Sequence, residues 1–148
     1  MVVAVGQWGV ASFENDPAGD WFLIVEEAVD PGGVIASALD RAVGEPEYLG
    51  LDESCEAIAA ADLSASCAGH VSARLPDQVR YWVETHPHQP HDSEIDQAVQ
   101  AVQRVRTESE LLDYWDNHVD RDRWVGEVDD LISRLRQSGA GEPATLSP

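Results

Sequence analysis

The chain has 148 residues, a length typical of one domain, and 43% of them are hydrophobic, which is the composition of a folded protein with a buried core. It contains no lysine, and its nine arginines stand against 28 Asp and Glu residues, for a formal net charge of −19. We therefore expect no direct nucleic-acid partner and no membrane partner, and the missing lysine excludes P-loop and Schiff-base chemistry.

The first predicted helix spans about Pro17–Val29. Pro17 suits the first turn of a helix, and Asn15 or Asp16 before it is a capping residue. We interpret the later Pro31-Gly32-Gly33 as the segment that ends this helix. Apolar residues at helical spacing predict one stripe that faces the core, formed by Trp21, Ile24, Val25 and Ala28.

Three more helices are predicted before Thr85, because apolar residues recur at helical spacing between Gly-rich and Pro-rich breaks. They span Val34–Val43, about Asp52–Ala68 and Pro76–Thr85. The many alanines of the helix at Asp52–Ala68 favour a close approach of neighbouring helices. The segment from His86 to His91 has two prolines in four residues, which predicts a loop.

The last three predicted helices follow this loop. Ser93, with Asp96 three residues later, resembles a capping box and opens the fifth helix. The sixth spans Ser109–Trp115 and the seventh Asp120–Gln137.

The predicted fold is all-α: a compact single domain of six or seven short helices over residues 1–138, with an extended N-terminal leader. Residues 139–148 are rich in Gly, Ala, Pro and Ser and are predicted to form a disordered tail. The strand candidate Val2–Val5 is too short and isolated to support a sheet.

The two cysteines indicate a reducing compartment. Cys55 and Cys67 share one predicted helix, which separates them by about 18 Å, whereas a disulfide needs Cα atoms within about 7 Å. The apolar stretch Trp21–Val25 is far short of the roughly 20 residues that a membrane span needs, and Met1–Val5 lacks the basic start of a signal peptide. We expect a cytoplasmic protein with two free thiols.

A set of short motifs resembles a known family. Gly6–Gly9, Phe13–Asp16, Ala18 and Asp20-Trp21 are similar to the opening signature of a bacterial family known as domain-of-unknown-function family 4259. The resemblance covers about residues 6 to 136 and implies a small bacterial all-helical domain with no assigned activity. It continues at Tyr48-Leu49 before an Ala-rich helix, Leu75-Pro76 before Trp82, Ser109–Leu111 before Trp115, and Trp124.

The opening signature supplies the first candidate site. Glu14, Asp16 and Asp20, with Trp8 beside them, form a potential carboxylate cluster for a cation or a basic group. The alternative is structural: Asp16 or its neighbour Asn15 caps the first helix, and Asp20 favours the positive end of its dipole. In that interpretation one buried aromatic cluster joins Trp8, Phe13 and Trp21.

A second acidic set surrounds the sixth and seventh helices and consists of Asp113, Asp116, Asp120 and Asp122. A calcium loop is not indicated, because Trp124 and Val125 interrupt the required pattern of oxygen ligands. The set flanks Trp115, and aromatic residues anchor protein interfaces when they are partly exposed. The alternative is that Trp115 lies in the core and its acidic neighbours only form a solvated surface.

The histidines His86, His88 and His91 are candidate metal ligands. In an extended segment the first two point the same way, about 6.5 Å apart, and with Glu84 or Asp92 the three form a potential zinc site. A solvated loop is the alternative. No nucleophile motif occurs and neither cysteine has an evident histidine partner, so we assign no catalytic residue and expect no cofactor.

These observations favour a small acidic bacterial protein that binds another protein, of the immunity, antitoxin or regulatory partner type. The expected partner carries a basic surface, since electrostatic complementarity then promotes association. The alternative function is an enzyme or zinc-binding protein that uses the His86, His88 and His91 loop with nearby carboxylates. The oligomeric state stays open.

Overall fold

The computed structural model describes residues 8–86 and 88–138, which form seven α-helices and contain no strand. The predicted all-α fold is therefore confirmed. The candidate strand Val2–Val5 and the predicted tail at residues 139–148 lie outside the described residues. The helices are α1 (Asp16–Glu27), α2 (Pro31–Gly44), α3 (Leu51–Cys67), α4 (Asp77–Thr85), α5 (Asp92–Thr107), α6 (Glu110–Asp116) and α7 (Arg121–Ser138). None of these helices has the length and apolar character needed to cross a membrane.

Helix α3 lies at the centre of the fold and contacts the other six helices. Every residue from Ala57 to Ser66 is buried, and most of them are Ala or Ser. A helix that is covered on all sides needs small side chains so that its neighbours can pack closely against it. The predicted role of the alanines is thus confirmed.

The start of α2 corrects the sequence interpretation. Pro31, Gly32 and Gly33 do not end the first helix but form the first turn of the second. Asp30 is the N-cap, and its side chain accepts a hydrogen bond from the Gly33 amide at 3.2 Å. Proline fits this position because the first turn has no intrahelical partner for its missing N–H.

The start of α5 and part of the inward face of α1 were also predicted wrongly, although Trp21 and Val25 are buried as predicted. Helix α5 begins at Asp92 with His91 as N-cap, so Ser93 lies inside the first turn and caps nothing. In α1 the buried side chains include Phe22, whereas Ile24 is exposed. The five apolar residues from Trp21 to Val25 are consecutive and therefore do not define one face. The ends of α4, α6 and α7 lie within one residue of prediction.

Two arginines connect helices that are distant in sequence. Arg134 on α7 lies 2.8 Å from the buried Asp62 carboxylate of α3 and also donates to the His70 carbonyl at 3.0 Å. Arg104 on α5 donates to the carbonyls of Ala42 and Glu45 at the end of α2. Both arginines satisfy groups that burial would otherwise leave without partners.

Candidate functional site

The opening signature builds a tight turn in front of α1. The Gly9 amide donates to the Glu14 carbonyl at 2.9 Å, and the Glu14 carboxylate accepts a hydrogen bond from the Ala11 amide at 3.2 Å. The same carboxylate pairs with Arg74 at 3.2 Å. Asn15 caps α1 by accepting from the Ala18 amide, as the structural alternative predicted. Glu14 therefore holds the turn together and does not join Asp16 and Asp20 in a carboxylate cluster.

The predicted aromatic cluster of Trp8, Phe13 and Trp21 does not form, and among the described residues no aromatic pair joins any two of the three. Trp8 packs on Tyr114 of α6, with ring centroids 5.2 Å apart. Phe13 meets Phe22 edge to face at 5.9 Å. The turn directs Trp8 towards α6, while Trp21 is buried on the side of α1 that faces α2.

The acidic set around α6 and α7 is largely neutralised by neighbouring side chains. Trp115 is only 2% exposed and packs on Trp124, so it is a core residue and offers no anchor to a partner. The prediction that Trp115 belongs to a binding surface is wrong, because Trp115 lies on the side of α6 that packs into the core. Asp113 accepts from the Tyr48 hydroxyl, Asp116 and Asp122 pair with Arg121, and Asp120 pairs with Arg123.

The three candidate zinc ligands do not converge. His86 stacks on Trp82 with ring centroids 4.8 Å apart, His88 pairs with Glu94, and His91 is the exposed N-cap of α5. Across residues 8–86 and 88–138 no group of three or more His, Cys, Asp or Glu side chains is placed to hold a metal ion.

A partly buried polar chain that the sequence did not reveal joins three parts of the fold. The His88 imidazole lies 3.1 Å from the Glu94 carboxylate, and Ser64 donates to the same carboxylate at 2.6 Å. The hydrogen bond that the imidazole donates to Glu94 raises the pKa of His88. Burial opposes ionisation of Glu94, but the hydrogen bonds from His88 and Ser64 prevail and lower its pKa. Thirty positions separate Ser64 from Glu94, so no local pattern signals this contact.

The polar chain offers no nucleophile. The Ser64 side chain is fully buried. Both cysteines are free thiols, as predicted, and burial raises the pKa of Cys55 and of Cys67 to about 12. A thiol with such a pKa is almost wholly protonated at neutral pH and does not attack substrates. The chain of hydrogen bonds instead fastens the α4–α5 connection to α3 and α5.

The outer face of α1 combines unpaired charge with exposed apolar surface. We define the α1 outer face as Asp16, Asp20, Leu23, Ile24 and Glu27, whose spacing of three or four residues places them on one side of the helix. Leu23 is 51% and Ile24 56% exposed. Within the described part of the chain, no arginine or histidine lies within salt-bridge distance of the three carboxylates of this face.

A groove of about 440 Å³ runs beside this face, between α1 and α2. Asp30 lies where α2 begins, apolar side chains follow along the groove, and Arg41 in the last turn of α2 pairs with Glu56 at 3.1 Å. Burial of Glu56 raises its pKa, and the opposing effect of Arg41 does not cancel this shift. We call this feature the α1–α2 groove, and its apolar middle is lined by Trp21, Ile24, Val34 and Ala38.

A larger and shallower depression of about 1260 Å³ lies between α5 and α7. Its apolar floor includes Ile95 and Ile132, which are already buried. At one end Arg106 and Asp129 pair with each other at 2.6 Å. This depression therefore presents less exposed apolar side chain than the α1 outer face does, and its lining carries charges of both signs.

The comparisons with known proteins identify a family but no activity. The family described as domain of unknown function (DUF4259) matches residues 6–127, from the opening signature into α7. Searches of curated proteins and of solved structures returned no match. Since the match spans most of the sequence, the chain belongs to the DUF4259 family.

Proposed function

We propose that this protein is a protein-binding module that engages a basic partner through the α1 outer face. The observation that supports the proposal most directly is the exposure of Leu23 and Ile24 among carboxylates that have no arginine partner in the described residues. Exposed apolar residues ringed by charge are typical of interaction surfaces. In this proposal the protein binds its partner as an immunity protein, an antitoxin or a regulatory protein does.

The two components of the face have different roles in the proposal. The carboxylates of Asp16, Asp20 and Glu27 attract a basic surface over a distance of about one Debye length, about 8 Å at physiological salt. Leu23 and Ile24 then lose contact with water and hold the complex by short-range packing. A surface that served solubility alone would need the charges but gain nothing from the exposed leucine and isoleucine.

This choice of surface differs from the one that the sequence favoured. Asp116, Asp120 and Asp122 lie beside Arg121 and Arg123, which cancel much of their charge. Asp16 and Asp20, in contrast, were predicted as binding residues and lie on the face that we propose. The free thiols fit a reducing compartment, and we propose that the interaction takes place in the cytoplasm.

Affinity capture from a native lysate of the source organism tests the proposal when matched variants are compared. Leu23→Ser/Ile24→Ser is set against Val119→Ser, since Val119 is also exposed but lies between α6 and α7. We expect a basic protein that binds the wild type and the Val119 variant with saturable stoichiometry and is lost with the double variant. Equal recovery with all three proteins, or no saturable partner, would contradict the proposal.

A further inference from the structure

We infer that the α1–α2 groove receives a basic amphipathic helix, in which two cationic side chains flank one apolar side chain. The inference rests on the proposed function and names the chemistry of the partner. It follows from the order of groups along α2: Asp30 caps its start, Val34 and Ala38 follow, and Arg41 in its last turn pairs with Glu56.

The length of the groove sets the spacing of the partner's residues. Along α2 the groove extends from Gly33 to Arg41, and eight residues of helix span about 12 Å. A partner helix lying along the groove covers this distance in about eight residues of its own. Its cationic residues are then expected at positions i and i+7 or i+8, with the apolar residue at i+4 on the same face.

Arg41 shows that a guanidinium fits the Glu56 end of the groove. Its side chain is 49% exposed and pairs with Glu56 at 3.1 Å, so an incoming cation can displace it into solvent. The Glu56 carboxylate is partly buried, and its raised pKa shows that Arg41 alone does not offset the cost of that burial. A cation of the partner would therefore pair with this carboxylate in place of Arg41, whose own side chain can return to solvent.

The apolar middle of the groove is where we expect the apolar side chain of the partner helix to bind. Ile24 is 56% exposed, whereas Trp21 and Ala38 beneath it are buried. A Leu, Ile or Met side chain from the partner would cover Ile24 and contact Val34. A helix fits this order of groups, because it presents residues i, i+4 and i+8 on one side.

Synthetic peptides test this inference without an identified partner. The probe is an Ala-rich helical peptide of about 16 residues with Arg at i and i+8 and Leu at i+4, labelled for fluorescence anisotropy. The comparison peptide has the same composition, but its two arginines lie on opposite faces of the helix. We expect saturable one-to-one binding of the probe and at least about tenfold weaker binding of the comparison peptide, a difference of about 1.4 kcal/mol.

Variants of the protein locate the binding in the groove. Ile24→Ser and Glu56→Gln are each expected to weaken probe binding, whereas Glu84→Gln, which removes an exposed carboxylate elsewhere, is expected to leave it unchanged. Arg41→Ala removes the competitor at Glu56 and is expected to strengthen binding by about threefold or more. Arg123→Ala, which changes the net charge equally, is its control. Circular dichroism melting curves confirm that each variant is folded.

Two outcomes would overturn the inference: equal binding of both peptides, or equal effects of Arg41→Ala and Arg123→Ala. If a captured partner depends on Leu23 and Ile24 while the probe shows no groove-specific binding, the inference fails and the proposed function stands. If capture also shows no dependence on these residues, both fail.

Discussion

The carboxylate of Glu14 occupies the space that a side chain at Gly9 would need. A Cβ atom at position 9 would overlap Oε1 of Glu14 and lie 2.9 Å from its Cβ. The glycine and the glutamate of the opening signature are thus two parts of one turn, which Arg74 closes from the outside. Gly9 and Glu14 therefore have a structural explanation, and these two residues need not belong to a ligand site.

Gly9→Ala is expected to destabilise the protein by about 1–3 kcal/mol, because the added methyl group forces the turn apart. Gly19→Ala is the matched control, since a Cβ at this exposed helical position meets no atom within 4 Å. It is expected to stabilise the fold by about 0.5–1 kcal/mol through its higher helix propensity. Urea denaturation of both variants measures the difference. Similar unfolding free energies for the two would show that the turn tolerates a side chain.

Arg134→Ala is expected to cost about 3–5 kcal/mol, because it leaves the Asp62 carboxylate buried without its cation. Asp62 is only 3% exposed, so water cannot replace the lost partner. Arg123→Ala breaks an exposed ion pair and is expected to cost no more than about 1 kcal/mol. Thermal and urea unfolding provide the comparison, and a loss at Arg134 no larger than the loss at Arg123 would be inconsistent with a buried ion pair.

The contact between His88 and Glu94 predicts a pH dependence of stability. The pKa of His88 is raised in the folded state, so its stabilising effect is complete below its ordinary value of 6.5 and is lost as pH rises through the raised pKa. The pKa of Glu94 is lowered, so its effect is present above its ordinary value of 4.5 and is lost as pH falls through the lowered pKa. The contact therefore contributes most between those two ordinary values.

The His88→Gln variant tests the direction of this pH dependence. The free energy of unfolding of the wild type is expected to exceed that of the variant most strongly between pH 4.5 and 6.5, and the difference should shrink as the pH rises further. Urea titrations at several pH values give the two curves. A difference that grows with rising pH would mean that His88 is neutral in its contact with Glu94.

The helices were predictable because the signals that mark them lie close together in the sequence. Apolar spacing and caps located α3, α4, α6 and α7 to within one residue. The start of α2 was missed because Pro31-Gly32-Gly33 is compatible with either end of a helix, and only the contact with Asp30 decides between them.

The candidate site was less predictable because it depends on tertiary contacts. The consecutive apolar residues from Trp21 to Val25 gave no indication that Leu23 and Ile24 would be exposed. Trp115, flanked by acidic residues, resembled an interface anchor, yet it packs in the core against Trp124. The ion pair between Asp116 and Arg121 could not be predicted either, since the sequence does not show which of the many carboxylates each arginine contacts.

Association kinetics with the captured partner show whether the carboxylates of the α1 outer face attract it. Asp20→Asn/Glu27→Gln removes two charges from the α1 outer face, and Glu84→Gln/Asp96→Asn removes two exposed charges elsewhere. We expect the on-rate of the wild type to fall steeply with ionic strength. The first variant should lower both the on-rate and its dependence on ionic strength. The off-rate should change little. The second variant should behave like the wild type. Equal effects of the two variants on the on-rate would contradict the assignment of the α1 outer face as the binding surface.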